Sequence, residues 1–242
     1  MPFIVLDIQL VVQGILYLAS FVLGFAVSIP LGVTTINFGG QCILYGDIKW
    51  QNATFFKYTP TDMHNCNFAI YLNVFGCIFY SLGMVIYHGY ALTRKDPNIG
   101  SQMWVMPFIL VNALMTVIIF ISSCMISVGF KEFCDGLLSG NEKGAHVKSC
   151  ADGQKPSWNW NKYGTNYTTD TYYTYLAVTQ TATWISFLVW SVQVTLGIIR
   201  FIRNRRLRSK DQFHDPSPSM NSSDNSKTPE DLENFASVQP SA

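Results

Sequence analysis

Charge is scarce in this chain, and where it occurs it is kept out of four long apolar runs. Only 13% of the 242 residues are Asp, Glu, Lys or Arg, against roughly 25% in an ordinary soluble domain. Much of the chain therefore sees no water. Net charge is only +1, which leaves phosphate neutralisation without support and excludes nucleic acid as a partner. Catalytic signatures are missing too: no HExxH, GxSxG, P-loop or GxGxxG occurs, and each marks a geometry its chemistry cannot do without. His64 and His146 are single histidines in separate loops, too few to hold a metal beside paired cysteines. The expectation is a non-enzyme with no cofactor, no metal and no catalytic residue.

What the chain has instead is apolar length. A membrane span takes about 20 predominantly apolar residues, and four segments qualify, at about 8–31, 68–92, 103–128 and 172–202. No Lys, Arg, Asp or Glu lies between Asp7 and Asp47. The first segment lacks the basic start and small-residue cleavage site of a signal peptide, so it reads as a retained span. Between the spans lie outer loops at 32–67 and 129–171 and a short inner turn at 93–102, with 1–7 and 204–242 as the two ends. The tail, rich in Ser, Pro, Asn and Asp, has the composition of a disordered segment.

Three signals orient the chain. Basic residues split nine to seven between the two sides, but the positive-inside rule weighs short loops and residues close to span ends. Arg94 and Lys95 in the short turn, and the run Arg200, Arg203, Arg205, Arg206, Arg208 and Lys210, therefore put both ends in the cytosol. The sequons Asn52-Ala53-Thr54 and Asn166-Tyr167-Thr168 fall in the outer loops, where such acceptors are used. Asn52 is the better placed, since Asn166 sits close to span four. Cys42, Cys66, Cys134 and Cys150 also lie in the outer loops, and an oxidising compartment would join them. Four cysteines allow three pairings. Cys42–Cys66 and Cys134–Cys150 each close one loop locally, and a crossed pairing stapling the loops together is the alternative. The location expected is the plasma membrane or the secretory route.

Within the spans, polar residues read as packing. Tyr172, Leu176, Thr179, Thr183, Ser186, Trp190, Gln193 and Gly197 recur at spacings of four and three, one seam of a left-handed bundle. Ser20, Gly24 and Ser28 repeat every four residues, a small-residue face that permits close helix approach. Asn73 and Asn112 are positioned to hydrogen-bond inside the bundle. An ionisable group at mid-span would signal transport; none lies there, and His88 falls near the end of span two. The basic cluster from Arg200 to Lys210 is a lipid-facing surface for anionic headgroups, or simply a stop-transfer signal. Short β-rich runs around Gly39-Gly40 and along 48–58 predict strands in the first outer loop. Tyr172, Tyr173 and Tyr175 read as an interfacial belt, while Trp158 and Trp160 suit a belt and a partner surface equally.

Gly40-Gln41-Cys42-Ile43-Leu44-Tyr45, Ser127-Val128-Gly129-Phe130-Lys131-Glu132-Phe133-Cys134-Asp135 and Trp184-Ile185-Ser186-Phe187-Leu188-Val189-Trp190 resemble the transmembrane protein 179 family. The resemblance covers roughly residues 8–203 and not the tail. It implies a claudin-like fold: an all-α membrane protein, a four-helix transmembrane bundle with a small disulfide-tied, β-rich extracellular cap. It carries over no catalytic residue. The first loop lacks the Trp…Gly-Leu-Trp-Cys signature of true claudins, the second lacks the Cys-Cys-Gly of tetraspanins, and two cysteines per loop are too few for connexins. The expected role is a multi-pass glycoprotein that packs in the lipid bilayer beside a membrane-protein partner or a second copy of itself. The alternatives are an oligomeric pore or transporter, or a cell-contact protein.

Overall fold

The computed structural model describes residues 2–53, 55–93, 105–154 and 169–214. Helix α1 spans Pro2–Asn37. A hairpin follows, β1 over Cys42–Asn52 and β2 over Phe55–Thr61. The next rod comprises α2 at Met63–Leu72, a π-helical segment at Asn73–Tyr80 and α3 at Ser81–Thr93. Helix α4 runs over Val105–Leu138 and α5 over Tyr172–His214.

Four stretches, Ile8–Asn37, Met63–Thr93, Met106–Lys143 and Tyr172–Arg206, are long and apolar enough to cross a membrane. Their packing is inverted relative to a water-soluble bundle. Leu110 is 74% exposed and Phe75 64%, whereas Ser20, Ser81, Thr179, Thr183 and Ser186 are wholly buried. Water would not tolerate so many large apolar side chains outside; lipid does.

The helices outrun the expected membrane edges. The 36 residues of α1 reach about 54 Å at 1.5 Å per residue, against a hydrocarbon core of about 30 Å. Residues 34–37 thus continue α1 rather than opening a strand. Thr34 and Thr35 donate their hydroxyls to the carbonyls of Pro30 and Leu31. The helix stops at Gly39 and Gly40, with φ of 68° and 77°, and the Gly40 N–H reaches back to the Thr35 carbonyl at 2.9 Å. A left-handed glycine at a helix end satisfies carbonyls that would otherwise be stranded. Similarly, α4 passes residue 128 and ends at Leu138, and α5 continues through 204–214, where the tail was expected to begin.

The hairpin pairs Ile48 with Tyr58 and Trp50 with Phe56 in antiparallel register, with a large irregularity between Cys42 and Asp47. Tyr45 sits in that irregularity at φ 62°, a backbone setting that non-glycine residues seldom adopt. Beyond it β1 alternates, Ile48 and Trp50 inward and Lys49 outward. The inward side chains land on the C-terminal part of α4, where Gly129, Phe133 and Gly136 share one helix face, and on Gly140 in the 3-10 turn that follows at Ser139–Lys143. A Cβ at Gly129 would come within 2.8 Å of the Tyr45 ring, and one at Gly136 within 3.3 Å of the Ile48 Cβ. At Gly140 it would run into the Trp50 ring. Glycines at those positions let the sheet lie directly on the helix, and the Trp50 Nε1–H donates to the Gly136 carbonyl at 3.2 Å. Phe38, Ile43, Leu44, Ile48, Phe56, Phe133 and Leu137 fill the space between them.

The residues divide into a unit at 1–204 and another at 205–242.

Candidate functional site

Two regions carry the predicted site residues: the cap at one end of the bundle, and the polar faces inside it, which run to a buried cluster near the start of α1.

In the cap, Cys42 is joined to Cys66 and Cys134 to Cys150, with Cα separations of 5.7 and 5.2 Å. Each bridge closes its own loop. The first ties the start of β1 to α2; the second ties the C-terminal end of α4 to the 3-10 turn at Cys150–Gln154. Tyr172 departs from the interfacial belt expected of it. It is 2% exposed, rests edge-on against Phe133 and Phe38, and donates its hydroxyl to the Cys150 carbonyl. Its hydroxyl has a fixed acceptor there, so burial costs it no hydrogen bond. Tyr173 and Tyr175 are half-buried. Asn52 is exposed at the end of β1, beside the turn of the hairpin. Asn166, Trp158 and Trp160 lie outside the described residues. Burial and the nearby Glu132 carboxylate raise the Tyr45 phenol above its ordinary pKa.

The helix-packing residues Ser20, Gly24, Ser28, Thr179, Thr183, Ser186 and Gln193 are all buried. At Gly24 α1 packs tightly against the second span, where an added Cβ would meet the Cys77 Cβ at 2.9 Å. One helical turn away, the Gln193 amide donates to the Ser20 hydroxyl at 3.3 Å. Asn112 links three helices: its Nδ2 donates to the Tyr17 hydroxyl at 2.6 Å, and its Oδ1 accepts from Tyr80 at 3.0 Å. Asn73 instead turns back on its own helix, donating to the Ala69 carbonyl at 2.8 Å. That side-chain bond competes with the backbone ladder at the first residue of the π-helical segment.

Arg200 is the main departure from expectation. Its side chain lies inside the bundle rather than on the surface expected of it. It is 4% exposed and donates to the Gln13 side-chain amide oxygen, Oε1, at 3.4 Å. Around it Gln13, Tyr17, His88 and Asn112 are all buried. With Arg200 they line a cavity that has about 30 Å³ of room for water molecules. The His88 Nδ1 lies 2.8 Å from the Met84 carbonyl. A carbonyl only accepts, so Nδ1 carries the proton and the neutral ring's Nε2 is an acceptor. Arg203 is half-buried and Arg205 and Arg206 are exposed. The side chains of Arg208 and Lys210 lie outside the described residues.

Arg200 was within reach of the sequence pattern. The four-three seam of α5, carried past Gly197, arrives next at Arg200 and then at Asn204, and both are buried. Gln13 and Tyr17 were within reach in the same way, since they extend the Ser20–Gly24 face of α1 at spacings of four and three; His88 carried no comparable signal. Among the described residues, no three His, Cys, Asp or Glu come together as a metal site.

Comparison with known proteins gives a consistent picture. The family model described as Transmembrane protein 179/179B Claudin domain matches residues 9–228, extending beyond the bundle into the tail. The chain is similar to Transmembrane protein 179B of Danio rerio, 21% identical over 82% of this chain and 87% of the relative. It is also similar to Transmembrane protein 179B of Mus musculus, 25% identical over 76% of this chain and 80% of that protein. No solved structure matches.

Proposed function

Since the chain belongs to the transmembrane protein 179/179B claudin-domain family, a set of multi-pass membrane proteins, we propose that it is a non-catalytic interaction or accessory subunit of a membrane complex. Its cap would present the contact surface outside, with both termini in the cytosol. The observation that carries this reading is the fusion of cap to bundle. The hairpin lies on a glycine-lined face of α4, Trp50 is hydrogen-bonded to Gly136, and two disulfides close the loops. A surface held that firmly binds without spending its affinity on ordering loops. Some polar groups of the inner helix faces bond across helices, as in Gln193–Ser20 and Asn112–Tyr17, while Ser123, Thr179 and Thr183 donate to carbonyls of their own helices.

Purification of the full chain in mild detergent should recover a membrane protein at fixed stoichiometry. Recovery as a lone monomer from several tissues would sink the proposal.

A pore or transporter is the second reading, and one observation favours it. Asn73 Oδ1, Ser81 Oγ, Ser122 Oγ and Gln193 Oε1 are buried with no hydrogen-bond partner among the described residues. Such groups normally hold ordered water, and a wet line through a bundle is where conduction would begin. Flux into liposomes that falls on Asn73→Leu or Gln193→Leu would support it; wild-type liposomes as tight as protein-free ones would dispose of it.

A further inference from the structure

One polar cluster lies on the surface of the bundle rather than inside it. On α4, Phe120, Cys124 and Ser127 fall at spacings of four and three, and on α5, Gln180, Trp184 and Phe187 do the same. The two rows meet. Ser127 Oγ accepts from Gln180 Nε2 at 3.2 Å and from Trp184 Nε1 at 3.0 Å. Further from the cap, the Phe120 ring packs against Trp184 and Phe187 at centroid distances of 6.2 and 5.2 Å. Phe120 and Trp184 are exposed, and Cys124, Ser127, Gln180 and Phe187 are half-buried, so lipid reaches the strip. A serine hydroxyl accepts twice and donates once. Both acceptor places of Ser127 are taken, which leaves its proton; the Gln180 Oε1 is the other spare group. Neither has a partner among the described residues. Hydrocarbon supplies neither donor nor acceptor, so both groups are costly to leave bare there.

We propose that this strip binds a sterol, whose hydroxyl donates to Gln180 Oε1 and accepts from Ser127 while its rings lie on Phe120, Trp184 and Phe187. A hydroxyl is the group that meets one spare donor and one spare acceptor together. None of the six residues carries a charge, so nothing in the strip matches an ionic headgroup. The direction fits as well. Gly129, two residues past Ser127, already lies under the Tyr45 ring of the cap, and Tyr172, eight residues before Gln180, belongs to the cap's core. The polar end therefore lies where bundle meets cap, and the aromatic end runs on along the span. A sterol in a bilayer points the same way, hydroxyl toward the headgroups and rings within the hydrocarbon. Seven residues separate Phe120 from Ser127, about 10 Å along the helix, the scale of a fused four-ring body. A rigid body loses less freedom than an acyl chain when it is held against aromatic faces.

The test uses the full-length protein in phosphatidylcholine nanodiscs with a photoactivatable cholesterol whose diazirine is on the rings, leaving the hydroxyl free. Labelled peptides are mapped by mass spectrometry. Labelling should saturate and should fall on the α4 and α5 strip. Unlabelled cholesterol should compete, and its 3-methyl ether, which cannot donate, should compete poorly. Gln180→Leu keeps the Trp184–Ser127 bond and should weaken labelling about 3- to 10-fold, the worth of one neutral hydrogen bond. Phe120→Ala, which removes part of the ring surface, should weaken it too and serves if Gln180→Leu does not fold. Leu110→Ala and Phe75→Ala, on other exposed faces, should leave it unchanged. Labelling that never saturates or spreads evenly over all four spans overturns the proposal, since it describes bulk lipid. A methyl ether as effective as cholesterol overturns it, as does wild-type labelling in both Gln180→Leu and Phe120→Ala. A photocrosslinking residue at Leu188, one turn beyond Trp184, that captures a second copy of the chain instead of sterol gives the strip to self-association and overturns it likewise.

Discussion

Glycines in the spans of this protein should respond to alanine with opposite signs, and the contrast tests how the bundle is held together. At Gly24 the new Cβ would lie 2.7 Å from Ile78 Cγ1, 2.9 Å from Cys77 Cβ and 3.3 Å from the Asn73 carbonyl oxygen. Two of those atoms are anchored at or next to backbone, so a helix has to move. Overpacking of a filled site costs about 1–3 kcal/mol, and alanine recovers about 0.5–1 kcal/mol of helix stability over glycine. The net loss for Gly24→Ala is at most about 2.5 kcal/mol, with a central value of about 1.25 kcal/mol that lowers the thermal midpoint by about 3–5 °C. Gly83 faces open space, with nothing within 4 Å of an added Cβ. There only the helix gain applies, and Gly83→Ala should raise the midpoint by about 1–4 °C. Gly76 separates crowding from true overpacking. Its nearest neighbour is the methyl end of Met115, which can swing aside, so Gly76→Ala should cost less than Gly24→Ala. The assay is fluorescence-detected size exclusion after heating, in one detergent, for all three variants. A Gly24→Ala protein as stable as wild type, or a Gly83→Ala protein destabilised equally, would refute the claim that α1 and the second span meet at Gly24.

Cys42→Ser and Cys134→Ser should each cost about 3 kcal/mol, since the bridges span 24 and 16 residues and loop entropy scales weakly with length; non-reducing peptide maps should show Cys42 joined to Cys66 and Cys134 to Cys150, and free thiols at all four would contradict this. Asn52→Gln should abolish a glycosidase-sensitive mobility shift, because Asn52 is exposed at the hairpin end; a wild-type protein without any glycan would count against an outward-facing cap. Asn112→Ala removes two interhelical bonds, to Tyr17 and from Tyr80, at about 0.6–2 kcal/mol each; a thermal midpoint unchanged from wild type would show that these bonds contribute nothing. Trp50→Phe keeps most of the ring that packs on Gly140 but loses the bond to the Gly136 carbonyl, so urea titration should register a loss of about 1 kcal/mol.

Much of the fold was legible because lipid enforces a simple rule: apolar outward, backbone bonds satisfied within the segment. That rule locates four spans from hydropathy alone, and Ser20, Gly24 and Ser28 declare a packed face by their spacing. It is silent on where helices stop once they leave lipid. Residues 34–37 look strand-like by composition, yet they continue α1 because Gly39 and Gly40 are the first residues able to turn the chain. The cap's attachment was harder still. Gly129, Gly136 and Gly140 fall in what reads as the second outer loop, and only the hairpin lying against them shows that they form a groove. Tyr172 was misplaced for the same reason. At a span end a tyrosine is usually a belt residue, but this one meets Phe38 and the Cys150 carbonyl, partners far away in the chain.

Arg200 is the instructive case, because two signals at that position disagreed. Its neighbours Arg203, Arg205 and Arg206 argue for a stop-transfer cluster at the membrane surface. Its place on the helix, three residues after Gly197 and seven after Gln193, argues for the interior seam. Composition is an average over neighbours, whereas helical phase is a property of the single position, and burial is decided by phase. Once Gln193 faces Ser20 and Gly197 faces Ile109, a helix turning at 3.6 residues per turn has to bring residue 200 to the same side. Arg205 and Arg206, at other phases, stay exposed, and Arg203, three residues on, is half-buried. A charge that the bundle's own geometry carries inward must find polar company there, and α1 supplies Gln13 at the level where it arrives.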